Sequence, residues 1–265
     1  MHLYPVLQPL VKALIKPIWR PTVSGLVNIP ATGPVILASN HQAAAETYFV
    51  PCMITREVHW LGKNGLFNGR GLPGKFFAWL MASVNVIPVD RSGDGRANGA
   101  LKAGIDVLED GHLLGVFPEG TRSPDGRLYK GKTGAVRLAL ATGAPIIPVA
   151  VLGAFEAQVD GSVLPRLGRP MHTRIGEALN MRALLEHVRA GGVLEGAIDA
   201  AVNPAVSASP DAPETAATKE ELRILTLALM GAIQDLSGQE YVDEFAADVK
   251  KRLREAQASS APTPA

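Results

Sequence analysis

Cysteine is almost missing from this chain: Cys52 is the only one in 265 residues. A single thiol builds neither an intramolecular disulfide nor a cysteine-based metal site, which removes the disulfide-stapled scaffolds and the thiolate zinc folds. It fits a reducing compartment. An excess of charge of one sign is missing too, since 26 basic and 25 acidic residues leave a formal net charge of +1. A general nucleic-acid binder would carry a clear basic excess, so no nucleic-acid partner is expected. No run reaches the roughly 18 apolar residues of a membrane-spanning helix. The amino terminus does not read as a secretory signal either, because Lys12, Lys16 and Arg20 interrupt its apolar run and no small-residue cleavage site follows.

What is present is greasy. Hydrophobic residues make up 47% and charged residues 19%, which excludes intrinsic disorder and raises the question of a membrane. The first acidic residue is Glu46, with Lys12, Lys16 and Arg20 ahead of it. In Leu3 to Ile18, apolar side chains recur at Leu3, Leu7, Leu10, Leu14 and Ile18, widened by Val6, Val11 and Ile15. Gln8, Lys12, Lys16 and Arg20 line one polar stripe. Residues 1–24 therefore read as an amphipathic segment suited to an anionic bilayer surface. A helix covering the body of the protein is the other reading, and Pro5, Pro9 and Pro17 argue against it.

Along the rest of the chain, short apolar runs alternate with helix-like stretches. Val35–Ser39, Val58–Leu61, Val84–Val89, Leu113–Phe117 and Ile146–Leu152 read as buried strands, with Thr173–Ile175 as a further one. Arg96–Glu109 and Gly134–Ala141 have helical spacing and end near Gly111 and Gly143. The alternation predicts an α/β fold, a layered mixed sheet flanked by helices, over residues 25–190. The Pro/Ala/Ser/Thr-rich stretch within 191–218 reads as a flexible linker or loop. Thr218 with Glu221 in capping-box position opens a pair of carboxy-terminal helices, 219–256, packed on the main domain. Residues 257–265 read as a disordered tail.

Two familiar motifs fail on context. Gly126 to Thr133 matches a phosphate-binding P-loop letter for letter, but the preceding strand ends at Phe117 and two prolines, Pro118 and Pro124, intervene. It reads instead as a surface turn into the helix at Gly134. Gly69-Arg70-Gly71-Leu72-Pro73-Gly74 has dinucleotide-fingerprint spacing, but no strand feeds it and Pro73 falls where its helix should start.

A third constellation has its context. Asn40-His41 leaves strand Val35–Ser39, and Glu46 follows His41 by five residues, just over one helical turn. The carboxylate can accept from Nδ1–H, which leaves Nε2 as a base. A strand's carboxyl end is where open α/β sheets place their sites. A lone His/Glu pair is often only a surface hydrogen bond, but Phe117-Pro118-Glu119-Gly120-Thr121-Arg122-Ser123 follows another strong strand. Its glycine admits a ligand close to the backbone, and Thr121 and Arg122 supply donors that suit a phosphate oxyanion.

With these blocks the chain resembles the glycerolipid acyltransferases of the lysophosphatidic acid acyltransferase type. Asn40-His41 matches the first block, with Glu46 where the family has Asp. Lys63 to Phe67 and Val86 to Arg91 resemble the second block, Phe117 to Ser123 matches the third, and Ala144 to Val149 fits the fourth. The resemblance covers about residues 25 to 180. It implies that His41 and Glu46 form the catalytic pair, activating an acceptor hydroxyl to attack the thioester of acyl-CoA or acyl carrier protein. It implies no covalent acyl-enzyme, no metal and no cofactor. Glu119, Gly120, Thr121 and Arg122 would hold the acceptor's phosphate, with Lys63 and Arg91 as further candidates. Lysophosphatidate is the implied acceptor and phosphatidate the product, with glycerol 3-phosphate or another lysophospholipid as alternatives. A non-catalytic lipid-binding scaffold is a third reading. The expected partners are acyl-CoA, a glycerophospholipid acceptor and an anionic membrane surface, and the expected place is the cytoplasmic face of the cell membrane. Glu46 is one methylene longer than Asp, so it must fold back to reach Nδ1.

Overall fold

A computed structural model of the chain describes residues 3–89, 96–158, 165–192 and 217–260. Among the described residues, β1 (Thr22–Ser24), β2 (Val35–Ser39), β3 (Val58–Lys63), β4 (Val86–Val89), β5 (Leu113–Val116), β7 (Ile146–Leu152) and β8 (His172–Ile175) form a seven-stranded sheet. Its order is β1-β8-β7-β2-β5-β3-β4. The strands from β7 to β4 run parallel, β8 is antiparallel to β7, and β1 is parallel to β8. The short strands β6 (Leu128–Tyr129) and β9 (Tyr241–Val242) pair apart from the sheet. The layered mixed α/β expectation is met. Every residue of β2 is buried. That is why its sequence is an uninterrupted apolar run: a strand covered on both faces has no water-facing side to make polar.

The helices are α1 (Tyr4–Trp19), α2 (Glu46–Met53), α3 (Gly71–Ser83), α4 (Arg96–Glu109), α5 (Gly134–Thr142), α6 (Ala154–Ala157), α7 (Met181–Arg189), α8 (Lys219–Ser237) and α9 (Ala246–Ser260). The Thr218–Glu221 capping box is formed, and α8 buries Leu222, Leu225, Leu229 and Ile233 against Leu138 and Ile146. The last helix runs to Ser260, past the expected end at 256. Residues 261–265 and most of the expected linker lie outside the described residues.

The proline argument about the amino terminus does not hold. α1 is regular over 16 residues. Pro5 stands in the first turn, where an N–H has no helical partner. Pro9 and Pro17 are exposed, so the carbonyls they leave unbonded, on the same face one turn back, reach solvent. The expected faces also shift. Ile15 and Trp19 are buried against Phe49, whereas Val6, Leu10, Leu14 and Ile18 stay exposed. Gln8 is not part of a solvated stripe: its Nε2 donates to the carbonyls of Pro51 and Ile54 at 2.7 and 2.9 Å, satisfying the end of α2. The helix α3 was not expected. Gly69 just before it and Gly74 in its first turn are a packing device, since a Cβ on Gly69 would lie 2.7 Å from the Gly74 Cα.

Because β2, β5, β3 and β4 run the same way side by side, their carboxyl ends open on one edge of the sheet. The loops carrying His41 and Glu119 to Arg122 leave from neighbouring strands there. Gly115 in β5 makes room for Trp60 of β3: a Cβ on Gly115 would lie 2.6 Å from its ring. Gly115→Ala should therefore destabilise the fold by about 1–3 kcal/mol through overpacking, read as a lower urea midpoint. An unchanged midpoint would show that Trp60 is free to move aside.

Candidate active site

The site begins where β2 ends. Asn40 is buried and prolongs the ladder with its side chain: Oδ1 accepts from the Val151 N–H at 2.8 Å and Nδ2 donates to the Val151 carbonyl at 3.1 Å. Nδ2 also donates to Gln239 Oε1 at 2.8 Å, so the segment after α8 braces the loop. The backbone of His41 is held on both sides. Its N–H donates to Glu119 Oε1 at 2.8 Å, and its carbonyl accepts from the Ser123 N–H at 2.6 Å.

The side chain of His41 is then fixed by Glu46. Nδ1 lies 2.8 Å from Glu46 Oε2, and Glu46 is fully buried as the first residue of α2. The other oxygen, Oε1, accepts from the Gln42 and Ala43 N–H groups at 2.7 and 2.9 Å. This answers the question raised by Glu in place of Asp. The extra methylene lets the carboxylate fold back over two amides of its own loop while still meeting Nδ1. With the proton on Nδ1 facing the carboxylate, Nε2 is the basic nitrogen. The imidazole stacks on Phe117 at 3.8 Å and 15°, and Phe117 stacks on Trp60 at 4.9 Å and 13°.

His41 lines a cavity of about 970 Å³. Most of its wall is apolar, from Leu7 and Val11 of α1, Pro51 of α2, Leu61 of β3 and Leu101 of α4. Burial pushes the hydroxyls of Tyr4 and Tyr48 in this wall up to about 12 and the Cys52 thiol up to about 11, so these three groups stay uncharged. Gly120, Lys132 and Arg137 add a basic portion to the same wall. A second, more polar cavity of about 560 Å³ is lined by Gln42, Arg122, Arg166 and Arg169 among others.

The expected site residues are thus only partly brought together. His41 and Glu46 pair, and Gly120 lines the same cavity as His41. Glu119, expected at the acceptor's phosphate, is placed by the structure between the two loops. It is 1% exposed, and its two oxygens accept from the N–H groups of His41 and Tyr129, the second at 3.0 Å. The enclosed side chain ties the two loops together. Arg122 opens on the second cavity, and Thr121 lines neither. Lys63 ends β3, but its side chain and all of Arg91 lie outside the described residues. Lys132 and Arg137 were missed. Lys132 lies over Gly120, where an added Cβ would be 3.0 Å from Lys132 Nζ. The signal for it was the P-loop-like stretch, which does turn into a helix at Gly134 but delivers its lysine to the cavity.

The comparisons with known proteins fall on this region. A family model described as Acyltransferase matches residues 20–152, which include both loops. A chloroplastic 1-acyl-sn-glycerol-3-phosphate acyltransferase of Brassica napus is 31% identical over 149 residues, 56% of this chain and 42% of that protein. A 1-acyl-sn-glycerol-3-phosphate acyltransferase of Pseudomonas aeruginosa is 36% identical over 174 residues, 63% of this chain and 64% of that protein. The chain therefore spans less than two thirds of either relative. The crystal structure of the 1-acyl-sn-glycerophosphate acyltransferase PlsC from Thermotoga maritima shares the fold, with a TM-score of 0.50 and 23% identity over 74% of this chain and 79% of that one.

Burial pushes the Glu119 carboxyl up to about 8, opposed by its two amide donors and reinforced by the charge of Glu46. A folded-state value above the ordinary 4.5 means that the stability from this group is fully present below about pH 4.5 and is lost as pH rises towards about 8. Glu119→Gln, which cannot ionise, should flatten that fall. Urea midpoints of both proteins at about pH 5 and about pH 8 test this, and equal slopes would mean that Glu119 is ionised throughout.

Proposed function

The chain belongs to the acyltransferase family, and on that basis we propose that it moves a fatty acyl group from a thioester donor to the free hydroxyl of lysophosphatidate, forming phosphatidate. The observation that carries this reading is the His41–Glu46 pair at 2.8 Å, opening on a large apolar cavity. Its volume sits at the upper end of ordinary ligand pockets, about 300–1,000 Å³. In this reading the cavity takes the acyl chain of a thioester of coenzyme A or of acyl carrier protein. His41 Nε2 removes the proton from the acceptor hydroxyl as its oxygen attacks the thioester carbonyl. The tetrahedral intermediate then collapses, the carbon–sulfur bond breaks, and the departing thiolate takes the proton back from His41. Glu46 orients the ring and stabilises the imidazolium formed in between. Lys132 beside Gly120, and Arg122 in the wall of the second cavity, are the cations proposed for the acceptor's phosphate. The buried, doubly supported geometry of Glu46 speaks against a lipid-binding scaffold whose catalytic pair has decayed.

The exposed apolar stripe of α1, with exposed Lys12 and Lys16, supports peripheral attachment to the anionic cytoplasmic leaflet. No described helix is long and apolar enough to cross a membrane.

His41→Ala should lower turnover by roughly two to four orders of magnitude without unfolding the protein, as loss of a general base does. The assay is transfer of labelled acyl groups from acyl-CoA and acyl carrier protein, with lysophosphatidate, glycerol 3-phosphate and other lysophospholipids as acceptors. Activity within a few-fold of wild type would remove His41 from the chemistry, and preference for a different acceptor would reassign the substrate. Arg122→Ala and Lys132→Ala should each raise the acceptor KM far more than the donor KM, through loss of a charge-assisted contact of about 1.5–3 kcal/mol. Equal rises in both constants would reject the phosphate role. Lys12→Glu with Lys16→Glu should weaken sedimentation with anionic vesicles by at least tenfold, each basic residue adding about 1 kcal/mol at such a surface. Unchanged sedimentation would place the membrane contact elsewhere.

A further inference from the structure

The apolar surface of α1 is not the only one left uncovered. Along α3, Leu72, Phe76 and Trp79 are 83%, 62% and 42% exposed. Their spacing of four and three residues puts them on one face of the helix. The Phe76 and Trp79 rings lie 5.6 Å apart and pack on each other. Folding alone gives no reason to expose three large apolar side chains in one stripe.

Charge indicates what covers that stripe. From Val58 to Val89 the sequence contains no Asp or Glu, while Arg70 and Lys75 flank the exposed residues. An apolar face with an aromatic indole, in a segment whose charged residues are all cations, complements an anionic bilayer interface, where the ring sits at headgroup level. Position points the same way. The carboxyl end of α3 contributes Met81, and its cap residue Val84, to the wall of the cavity that holds His41, and α1 contributes Leu7 and Val11 to the same wall.

We propose that α3 is a second bilayer-contacting element, which docks Leu72, Phe76 and Trp79 onto an anionic phospholipid surface so that the cavity is served from the membrane between α3 and α1. The proposal rests on the reading of the acceptor as a membrane lipid. It requires that α3 touch lipid independently of the amino-terminal helix.

Tryptophan fluorescence of the full chain tests this. Trp19 and Trp60 are 7% and 6% exposed, so Trp79 is the accessible reporter. Vesicles of phosphatidylglycerol and phosphatidylcholine with brominated acyl chains should quench it, and Trp79→Phe should abolish that quenching. Leu72→Ser with Phe76→Ser should weaken vesicle sedimentation at least tenfold while leaving circular dichroism unchanged. The same variant should keep transfer to a water-soluble, short-chain acceptor. Quenching that survives Trp79→Phe, or unaltered sedimentation of the double variant, would overturn the proposal. So would concentration-dependent self-association that the substitutions remove, because the stripe would then be a contact between copies. Vesicle binding through α3 with no acyl transfer to any acceptor would overturn the functional reading and leave this one standing.

Discussion

A carboxylate withdrawn from water must find donors in the protein, and the geometry of this site follows from how two of them do so. Glu119 meets the amides of His41 and Tyr129, which pins the loop after β2 to the loop after β5 and to β6. Glu46 meets the amides of Gln42 and Ala43 and the ring of His41. Neither acid could stay buried if its loop relaxed, so each holds the loop that satisfies it. The imidazole is therefore held in one orientation by the fold itself, as the proposed general-base role requires.

The surroundings serve the same end. Parallel strands bring the two loops to one edge, and the absence of a side chain at Gly115 lets Trp60 and Phe117 stack behind the imidazole. The carboxy-terminal segment adds Gln239, which accepts from Asn40 and donates to the Gly126 carbonyl at 2.6 Å. A residue almost 200 positions from His41 thus steadies the turn from which His41 departs. The cavity wall is apolar where α1, α2 and α4 line it and basic at Lys132 and Arg137.

Much of this was legible in the sequence wherever one physical requirement dominated the local choice of residues. Strands β2 and β7 were read with their true ends because burial on both faces leaves an unbroken apolar run. The His41–Glu46 pair was legible because both partners lie within five residues of chain. What was missed depends on contacts distant in sequence. β1 is three residues long and is defined by its pairing with β8, about 150 positions away. α3 looked like a loop because Gly71, Pro73 and Gly74 serve packing and the first turn. The bracing contacts of Glu119 were not legible, because a motif names a residue without saying which backbone groups its side chain meets. Lys132 was set aside with a motif that had the wrong context, although the residue itself reaches the site.

The central claim is that the negative charge of Glu46, and not merely its shape, makes His41 an effective base for acyl transfer. The most direct measurement is kcat for acyl transfer to lysophosphatidate by Glu46→Gln and Glu46→Asp, each checked for an unaltered fold. Loss of the charge with the shape retained should lower kcat by roughly two to four orders of magnitude, and Asp should keep activity within about tenfold of wild type. A Glu46→Gln protein as active as wild type would contradict the account.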